Sequence, residues 1–387
     1  MFSSPVRTRP TSGWAVALAG MLVIASTYGM ARFGVGLLAP RLVEQRPALD
    51  GAIGTAAAAQ FLSYAVAAGL AARWGDRAPR LTLALAGTTA TLGCLGIAVA
   101  GSSVAFVGAV FVGGTGAGLA SPALVRLVDD LVAQRARGTA QSLVNSGTAV
   151  GVVAAGTVAL ATAGVASAWG LMAGACAGSA VLCLALAGRA PARATEHGAT
   201  GTPVSLAGLQ VPLLAAVVVG AGSALVWSFG PLIAVADGGV PEGRVGWLWI
   251  ALGLGGLIGP LTGVAVDRLG LRRAWVLFVT VATLAHGFLA LALAIGTPWP
   301  AYVAMALFGG GYMCLSGVLI LWARAVSPEA GGSGTAILFV ALAVGQAVGS
   351  VGLDAARTTA GNGTALALAS ALALVGAWVG GRGRRGS

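Results

Sequence analysis

Long apolar runs separated by short, arginine-bearing loops are the dominant pattern of this chain. Residues 263–273, GVAVDRLGLRR, carry four charges in their last seven positions and lie between two apolar runs. A weaker copy, ARWGDRAPR at 72–80, lies between two others. A helix rises 1.5 Å per residue, so about 20 apolar residues cross the ~30 Å hydrocarbon core of a bilayer. The repeated runs therefore predict a polytopic membrane protein.

Composition argues against the soluble alternatives. Charged residues are 9% of the 387, whereas soluble domains contain about a quarter. The net charge of +11 does not form a nucleic-acid-binding face, because the basic residues, all arginine, occur in small groups between apolar runs. The four cysteines lie inside apolar runs without metal-ligand spacing, so we predict buried thiols, no metal site and no cofactor.

The apolar runs predict twelve spanning helices. Between the sixth and the seventh, residues 189–210 are polar and rich in turn-forming residues. We therefore predict a first helical bundle at 1–188, a cytoplasmic linker at 189–210 and a second bundle at 211–387. The predicted helices are 14–40, 51–72, 81–100, 103–127, 138–161, 165–188, 211–236, 245–266, 273–296, 299–323, 334–356 and 362–380.

The two halves share an internal repeat. Phe-Gly at 33–34 recurs at 229–230, Gly-Gly at 113–114 recurs at 309–310, and Gly-Thr-Ala at 138–140 recurs at 334–336. All three pairs have the same offset of 196 residues. Internal repeats are common in transporter folds. The pattern predicts an all-α membrane protein of two pseudo-symmetric six-helix bundles.

The arginines predict the orientation. Twelve spans put both termini on one side, where the loops and tails contain 17 arginines; the other side has Arg41, Arg46, Arg244 and Arg357. Loops rich in positive charge favour the cytoplasmic side. Exclusive use of arginine is typical of a GC-rich bacterial genome. We therefore predict a multi-pass protein of the bacterial inner membrane, with both termini in the cytoplasm.

With these features the chain resembles the major facilitator superfamily over essentially its whole length. The signature of that family, on the loop between helices 2 and 3, is Gly-x-x-x-Asp-Arg-x-Gly followed by basic residues. The first-half copy keeps Asp76, Arg77 and Arg80, while Ala72 and Pro79 replace the glycines. The second half has the better copy, which inverts the usual family pattern. Its matching residues are Gly263, Asp267, Arg268, Gly270, Arg272 and Arg273.

The resemblance implies that these loops gate the transporter and do not bind substrate. In the family, the loop helps to hold the two halves together during the conformational cycle. Glycine permits the short turn, and Asp and Arg near helix ends pair with helix dipoles and with each other. Simple positive-inside anchoring would explain the arginines of both loops but not their recurring Asp.

Other stretches narrow the resemblance. YGMARFGVGLLAP at 28–40, VWSFGPLI at 226–233 and WLWIALGLGGLIG at 247–259 resemble the YbfB/YjiJ-type branch. Drug/proton antiporters of the superfamily usually carry an Arg early in helix 4 and a Pro after the central Gly of their helix-5 motif. Here residues 105–118 contain no Arg, and Val152 occupies the Pro position. A multidrug antiporter is therefore the less favoured alternative.

Arg32 is the most informative single residue of the predicted helices. It lies eight residues before Pro40, which is ~12 Å along a helix. A charge inside a membrane helix is costly and usually faces a cavity, although a long arginine also reaches the headgroups by snorkelling. In the superfamily, first helices line the central cavity. A guanidinium binds carboxylate or phosphate in bidentate geometry, so Arg32 predicts an anionic substrate.

Polar and aromatic residues of cavity-type helices complete the predicted site. For each of these polar residues, an interhelical hydrogen bond without any role in substrate binding is an equally good explanation. No acidic residue lies at mid-membrane; Asp50 and Asp354, near helix ends, are the nearest candidates for a proton carrier. The predicted substrate-binding residues are Arg32, Tyr28, Gln60, Tyr64, Asn145, Trp227, Ser228, Tyr312 and Gln346.

Together these features predict a monomeric secondary transporter that works by alternating access around a midplane site. Its partners would be the lipid bilayer and a small-molecule substrate, either an organic anion or an amphipathic metabolite, with a coupling proton left open. A chain without lysine has no Walker-type Gly-x-x-x-x-Gly-Lys motif, and no catalytic constellation indicates an enzyme. The alternatives are a drug or metabolite efflux antiporter and, from another class, a non-transporting membrane sensor or scaffold.

Overall fold

The structure of the protein is a computed structural model that describes residues 10–74, 78–188, 206–326 and 331–382. Within these ranges it contains twelve helices that are long and apolar enough to cross a membrane. The predicted all-α class and the predicted number of spans are therefore confirmed.

We number the spanning helices α1–α12. Two of them are interrupted: α1 consists of Pro10–Ile24, a π-helical segment Ala25–Arg32 and Gly34–Gln45, and α8 of Val245–Gly256, a 3-10 turn Gly259–Leu261 and Thr262–Leu269. The others are α2 Ile53–Trp74, α3 Pro79–Val99, α4 Ser103–Leu131, α5 Arg137–Ala161, α6 Val165–Ala187, α7 Leu206–Ala236, α9 Leu271–Ile295, α10 Trp299–Val326, α11 Gly331–Ala360 and α12 Asn362–Gly381. Short 3-10 turns at Pro47–Ala52, Gln134–Ala136 and Glu242–Arg244 precede α2, α5 and α8.

The first helix is longer than predicted, because side chains of its last turns fix it to neighbouring loops. Pro40 lies inside α1, which continues to Gln45. Arg41 Nη1 donates to the Thr162 carbonyl oxygen (2.6 Å). Gln45 Nε2 donates to the Ala163 carbonyl oxygen, and the Val165 backbone N–H donates to Gln45 Oε1, both at 2.9 Å. The end of α1 is thus anchored to the loop between α5 and α6.

Two further boundaries differ from the prediction. Helix α7 begins at Leu206, so residues 206–210 of the predicted linker are helical; residues 189–205 lie outside the described residues. Helix α8 is broken at Gly259–Leu261, where Pro260 has no backbone N–H to donate. One residue, Gly270 with φ +79°, separates α8 from α9, and such a backbone conformation favours glycine.

The repeated Gly-Gly pairs occupy equivalent packing positions in the two halves. Helix α4 packs between α2 and α3; a Cβ on Gly114 would lie 2.7 Å from the Gln60 carbonyl oxygen. Helix α10 packs between α8 and α9; a Cβ on Gly310 would lie 2.9 Å from Ile258 Cδ1. Small residues let helix backbones approach closely where lipid supplies no hydrophobic driving force between helices. The matched packing supports the duplication inferred from the sequence.

The first six and the last six helices meet along three helix pairs: α1 with α7, α2 with α11, and α5 with α8. We call the face at which α1 begins and α12 ends the terminal face, and the other the opposite face. Near the opposite face, the backbones of Gly156 on α5 and Gly246 on α8 lie so close together that neither position has room for a Cβ. Further from that face, a Cβ on Gly256 would lie 3.7 Å from Ala149 Cβ.

Towards the terminal face, the same two helices diverge. Gly138 lies on the face of α5 that includes Ala149, and Gly263 lies in the last segment of α8, beyond the 3-10 turn. A Cβ on either glycine would meet nothing within 4 Å. The α5–α8 pair is therefore closed at the opposite face and open at the terminal face.

Candidate functional site

Arg32 is the last residue of the π-helical segment of α1. The Phe33 backbone N–H donates to the Tyr28 carbonyl oxygen (3.3 Å), five residues back. The Ser26 and Thr27 hydroxyls donate to the Val23 carbonyl oxygen at 3.1 and 2.7 Å, and this kind of bond to the preceding turn bends helices. Single π-turns are rare and concentrate at functional sites. The irregular turn therefore marks this part of α1.

Four aromatic rings surround the Arg32 guanidinium. Its Cζ lies 3.9 Å from the Tyr64 ring centroid, 5.0 Å from that of Phe33, and 5.5 Å from those of Tyr28 and Phe61. Ring faces attract cations within about 6 Å, with energies that reach about 2 kcal/mol when the pair is desolvated. We call these five residues the arginine cage. Helices α1 and α2 supply all of them.

Within the part of the chain that the structure describes, the guanidinium has no anionic partner. Arg32 is 5% exposed, and its Nε is buried without a hydrogen-bond acceptor. Among the described residues, no ion pair or hydrogen bond of the Arg32 side chain is present. Cation–π contacts compensate only part of the cost of burying a charge, and a paired, hydrogen-bonded anion compensates more. The arginine cage therefore suits a ligand that brings an anionic group.

A second aromatic cluster adjoins the arginine cage across the boundary between the two halves. Phe33 of α1 stacks on Trp227 of α7 with centroids 3.8 Å apart and an interplanar angle of 14°. Trp227 also makes edge contacts with Trp249, Phe308 and Tyr312 at 6.1, 5.4 and 5.2 Å. All five side chains are buried. The Phe33–Trp227 stack thus joins aromatic residues of both halves into one region.

Several polar atoms of this region are buried without partners. The Tyr28 hydroxyl lies 3.4 Å from that of Tyr64, and Gln346 Nε2 donates to the Tyr312 hydroxyl at 3.0 Å. The side-chain oxygens of Gln60 and Gln346 and the Arg32 Nε have no hydrogen-bond partner among the described residues. Buried polar groups are nearly always satisfied by protein, water or ligand. The region therefore offers unsatisfied donors and acceptors beside the Arg32 charge.

The predicted site residues are only partly brought together. Tyr28, Arg32 and Tyr64 belong to the arginine cage, and Trp227, Tyr312 and Gln346 to the adjoining cluster, with Phe33 between them. Gln60 lies one turn from Tyr64 on α2.

Ser228 and Asn145 lie outside this region. The Ser228 hydroxyl lies 3.4 Å from that of Ser350, which in turn donates to the Gln346 carbonyl oxygen at 2.8 Å. Asn145 is exposed on α5, one turn from Ala149 on the side of the open terminal face. Asn145 therefore lies between Ala149 and the terminal face, whereas Ser228 takes part in helix packing.

Sequence reasoning missed four aromatic residues: Phe33, Phe61, Trp249 and Phe308. Phe33 did carry a signal, because it belongs to the repeated Phe-Gly pair. Its repeat partner, Phe229, also lies beneath a guanidinium, since Arg357 Cζ is 5.3 Å from the Phe229 centroid. The repeat therefore preserves an arginine–phenylalanine contact in both halves, with the arginine supplied from different positions.

The predicted gating residues lie at the terminal face. Asp267, Arg268 and Arg273 are exposed, on either side of the Gly270 turn, with Gly263 before them and Arg272 beside Arg273. In the first-half copy, Arg80 Nη2 donates to the Ala187 carbonyl oxygen at the end of α6 (3.2 Å). Asp76 and Arg77 lie outside the described residues. Their gating role stays a prediction.

Within the described residues, no group of three or more His, Cys, Asp or Glu side chains is arranged to hold a metal ion. The four cysteines are unpaired and buried, as the sequence indicates.

Comparisons with known proteins agree with this architecture. The xylose transporter XylE from E. coli superposes with a TM-score of 0.74 at 17% identity, covering 95% of this chain and 96% of that one. The nucleoside transporter NupG gives 0.74 at 11% identity, with coverage of 94% and 98%. A peptide transporter of the POT type gives 0.75 at 14% identity, with coverage of 98% and 95%. Comparison with curated protein sequences gives no significant match.

These likenesses, at identities below 20%, show a shared fold. The sequence model of the Major Facilitator Superfamily matches residues 11–350, which is most of the chain and includes both halves. The matched family and these solved relatives are transporters. The chain is therefore a multi-pass membrane transporter, and it belongs to the Major Facilitator Superfamily.

Proposed function

We propose that this protein is a secondary transporter that moves a small organic anion or an amphipathic metabolite by alternating access, with Arg32 as its principal anion contact. The observation that carries the proposal is the buried guanidinium, which has aromatic neighbours and, among the described residues, no anionic partner. A substrate carboxylate or phosphate would supply that partner in bidentate geometry.

The surroundings of Arg32 favour an amphipathic substrate. The Trp227, Phe308 and Tyr312 rings offer apolar surface beside the charge, and the free oxygens of Gln60 and Gln346 accept hydrogen bonds. A relative of the same fold has been solved in complex with 5-aminolevulinic acid, a small organic acid with an amino group. 5-Aminolevulinic acid carries an acidic group and a hydrogen-bonding amino group, which are the kinds of group that Arg32 and the two glutamine oxygens would bind.

The arrangement of the helices supports alternating access. The two halves are in close contact near the opposite face and apart near the terminal face. If the terminal face is cytoplasmic, as the arginine distribution predicts, this conformation is open to the cytoplasm. The return to an outward-open state would close the terminal face and bring the Asp267 loop against its partner helices, which is the gating role proposed for that loop.

Several finer assignments accompany the proposal. The motifs around Arg32 and Trp227 favour membership of the YbfB/YjiJ-type branch. The proposed location of the protein is the bacterial inner membrane. The unit would be a monomer whose two six-helix bundles are joined by the segment between α6 and α7, with the C-terminal bundle beginning at Leu206. A relative of the same fold is a D-xylose–proton symporter, so a coupling proton is proposed as a partner.

A thermal-shift experiment tests the substrate class. The purified protein is heated with organic anions, neutral metabolites and lipophilic cations, because a ligand that binds the folded state raises its melting temperature. We expect an anion to stabilise the parent and not Arg32→Ala. Arg273→Ala, which removes an exposed arginine, serves as the matched control and is expected to respond like the parent.

The aromatic cluster also suits the second candidate, efflux of lipophilic drugs or metabolites. In that case lipophilic cations alone would raise the melting temperature, and Arg32→Ala would respond like the parent. This result would make Arg32 a structural residue held by its cation–π contacts and would contradict the anion proposal.

A further inference from the structure

The closed opposite face contains a contact between the halves that involves a carboxylate. Asp354 lies near the end of α11, and Gly54 lies in the first turn of α2. The Asp354 carboxyl group packs so closely over Gly54 that a Cβ on this glycine would overlap it, with Asp354 Cβ only 2.8 Å away. Any side chain at position 54 would displace the Asp354 side chain from its present place.

The Asp354 side chain is held in place by its own half. Arg357 Nη2 and Nε donate to Asp354 Oδ1 at 2.8 and 3.2 Å, and both side chains are largely buried. Arg357 in turn lies over the Phe229 ring of α7. Asp354 Oδ1 is thereby engaged within the last six helices, whereas Oδ2 is the atom nearest to the position that a Cβ on Gly54 would occupy. The carboxylate is thus preoriented towards the first six helices.

The Gly54 side of the contact is electrostatically suited to a carboxylate. The positive end of the α2 dipole lies at this turn, where the Ile53 backbone N–H donates to the Asp50 carbonyl oxygen of the preceding 3-10 turn. The contact forms one wall of a groove of about 290 Å³ on the opposite face. Asp50 and Thr55 line the groove from the first half, and Val351, Ala355 and Thr358 from the second. Separation of the halves at this face would remove the carboxylate from the turn.

We propose that Asp354 and Gly54 form the gate contact of the opposite face, in which a carboxylate prearranged by Arg357 on α11 seats on the first turn of α2. This inference rests on the proposed alternating-access cycle. Asp354 acts as a positioning residue for transport: it contacts no part of the arginine cage, and it sets the balance between the two conformations.

Spin-label distance measurements by electron paramagnetic resonance test the gate contact without any substrate. Gly101→Cys and Gly363→Cys place one label on each half at the opposite face, where both positions are exposed and a Cβ meets nothing within 4 Å. The four native cysteines are buried, which limits competing labelling. Neither label touches the gate contact.

We expect Gly54→Ala to move the label distances towards longer values, because the new Cβ displaces the carboxylate. Asp354→Asn, which keeps the shape and removes the charge, is expected to cause a smaller shift in the same direction. The matched control is Gly51→Ala, three residues earlier, where a Cβ meets nothing within 4 Å and the distances should stay those of the parent. Melting temperatures of all variants confirm that each is folded.

Unchanged distances in both Gly54→Ala and Asp354→Asn would overturn the proposal. Gly36→Val separates this failure from a failure of alternating access itself. A Cβ at Gly36 collides with the Trp227 carbonyl oxygen of the other half, away from Asp354. If the label distances change in Gly36→Val alone, the two halves do separate, and Asp354 does not control their separation. No shift in any variant would contradict both the gate contact and the two-state cycle.

Discussion

The two faces of the molecule differ in how the halves meet. At the opposite face, glycines allow backbones of the two halves to touch. Within the first half, Arg41 and Gln45 also anchor the end of α1 to the loop between α5 and α6. At the terminal face, Asp267, Arg268 and Arg273 are exposed, and α5 and α8 diverge. Both faces carry Asp and Arg residues. At the opposite face Arg41, Arg46 and Asp354 are engaged in defined contacts, whereas Asp267 and Arg268 of the terminal face are exposed to solvent.

This difference indicates which interactions hold the present conformation. Close backbone packing and cross-half contacts stabilise the closed face, so changes there should alter the balance between conformations. Exposed charges at the open face contribute little in this state and gain importance when that face closes. The predictions below test this contrast, from the largest expected effect to the smallest.

The largest loss of stability is expected from Trp227→Ala. Trp227 is fully buried and contacts four aromatic rings across the two halves. Truncation of a buried tryptophan costs about 3–5 kcal/mol in well-packed interiors. Thermal unfolding of the purified variant measures the loss. In a double-mutant cycle with Phe33→Ala, we expect a coupling energy of about 0.5–1.5 kcal/mol, whereas strict additivity would contradict the stacked contact.

A shift of conformation is expected from Gly36→Val. Overpacking costs about 1–3 kcal/mol, and 3 kcal/mol changes an equilibrium ratio about 100-fold. The penalty falls on the state in which the opposite face is closed, so the terminal face should close. Spin labels at Gly138→Cys and Gly263→Cys, one on each half of that face, should then move closer together. Gly69→Val, where a Cβ meets nothing within 4 Å, is the control, and an equal effect there would contradict the account.

The smallest expected effect is a difference in melting temperature between two variants, each of which loses an arginine from one of the faces. Arg46 Nη1 donates to the carbonyl oxygens of Ile97 and Ala100 at 2.9 and 3.0 Å, and Nη2 donates to that of Ala98. These bonds cap the end of α3, and a charged hydrogen bond contributes about 1.5 kcal/mol. Arg46→Ala should lower the melting temperature, whereas Arg273→Ala, at an exposed position, should change it little. Equal losses would remove the contrast between the faces.

Much of the fold could be predicted from the sequence because the bilayer imposes a strict length on apolar helices. The number of spans, the helical class and the superfamily all follow from runs and loops that are visible in the chain. The errors lie at ends and interruptions. Gln45 extends α1 through contacts with a distant loop, and Pro260 breaks α8 within an unbroken apolar run. Tertiary contacts and local backbone geometry decide such positions.

The candidate site was less predictable. Arg32 stood out because a charge within an apolar run is costly, but the π-turn that carries it has no sequence signature of its own. Phe61 and Phe308 are ordinary apolar residues in the sequence, and only the packing of the helices brings their rings to the site. The Gly54–Asp354 contact joins positions 300 residues apart, and no sequence pattern around either residue predicts the contact.

Transport of an anion through a sealed membrane is the most direct test of the central claim. The protein is reconstituted in liposomes, and uptake of the anion that raises its melting temperature is followed for the parent, Arg32→Ala and Arg135→Ala, which removes an exposed arginine outside both gating loops. We expect uptake by the parent and by Arg135→Ala, with at least a tenfold loss in Arg32→Ala, as a lost charged contact of about 1.5 kcal/mol implies. Undiminished uptake by Arg32→Ala would contradict the proposal that this arginine binds the substrate.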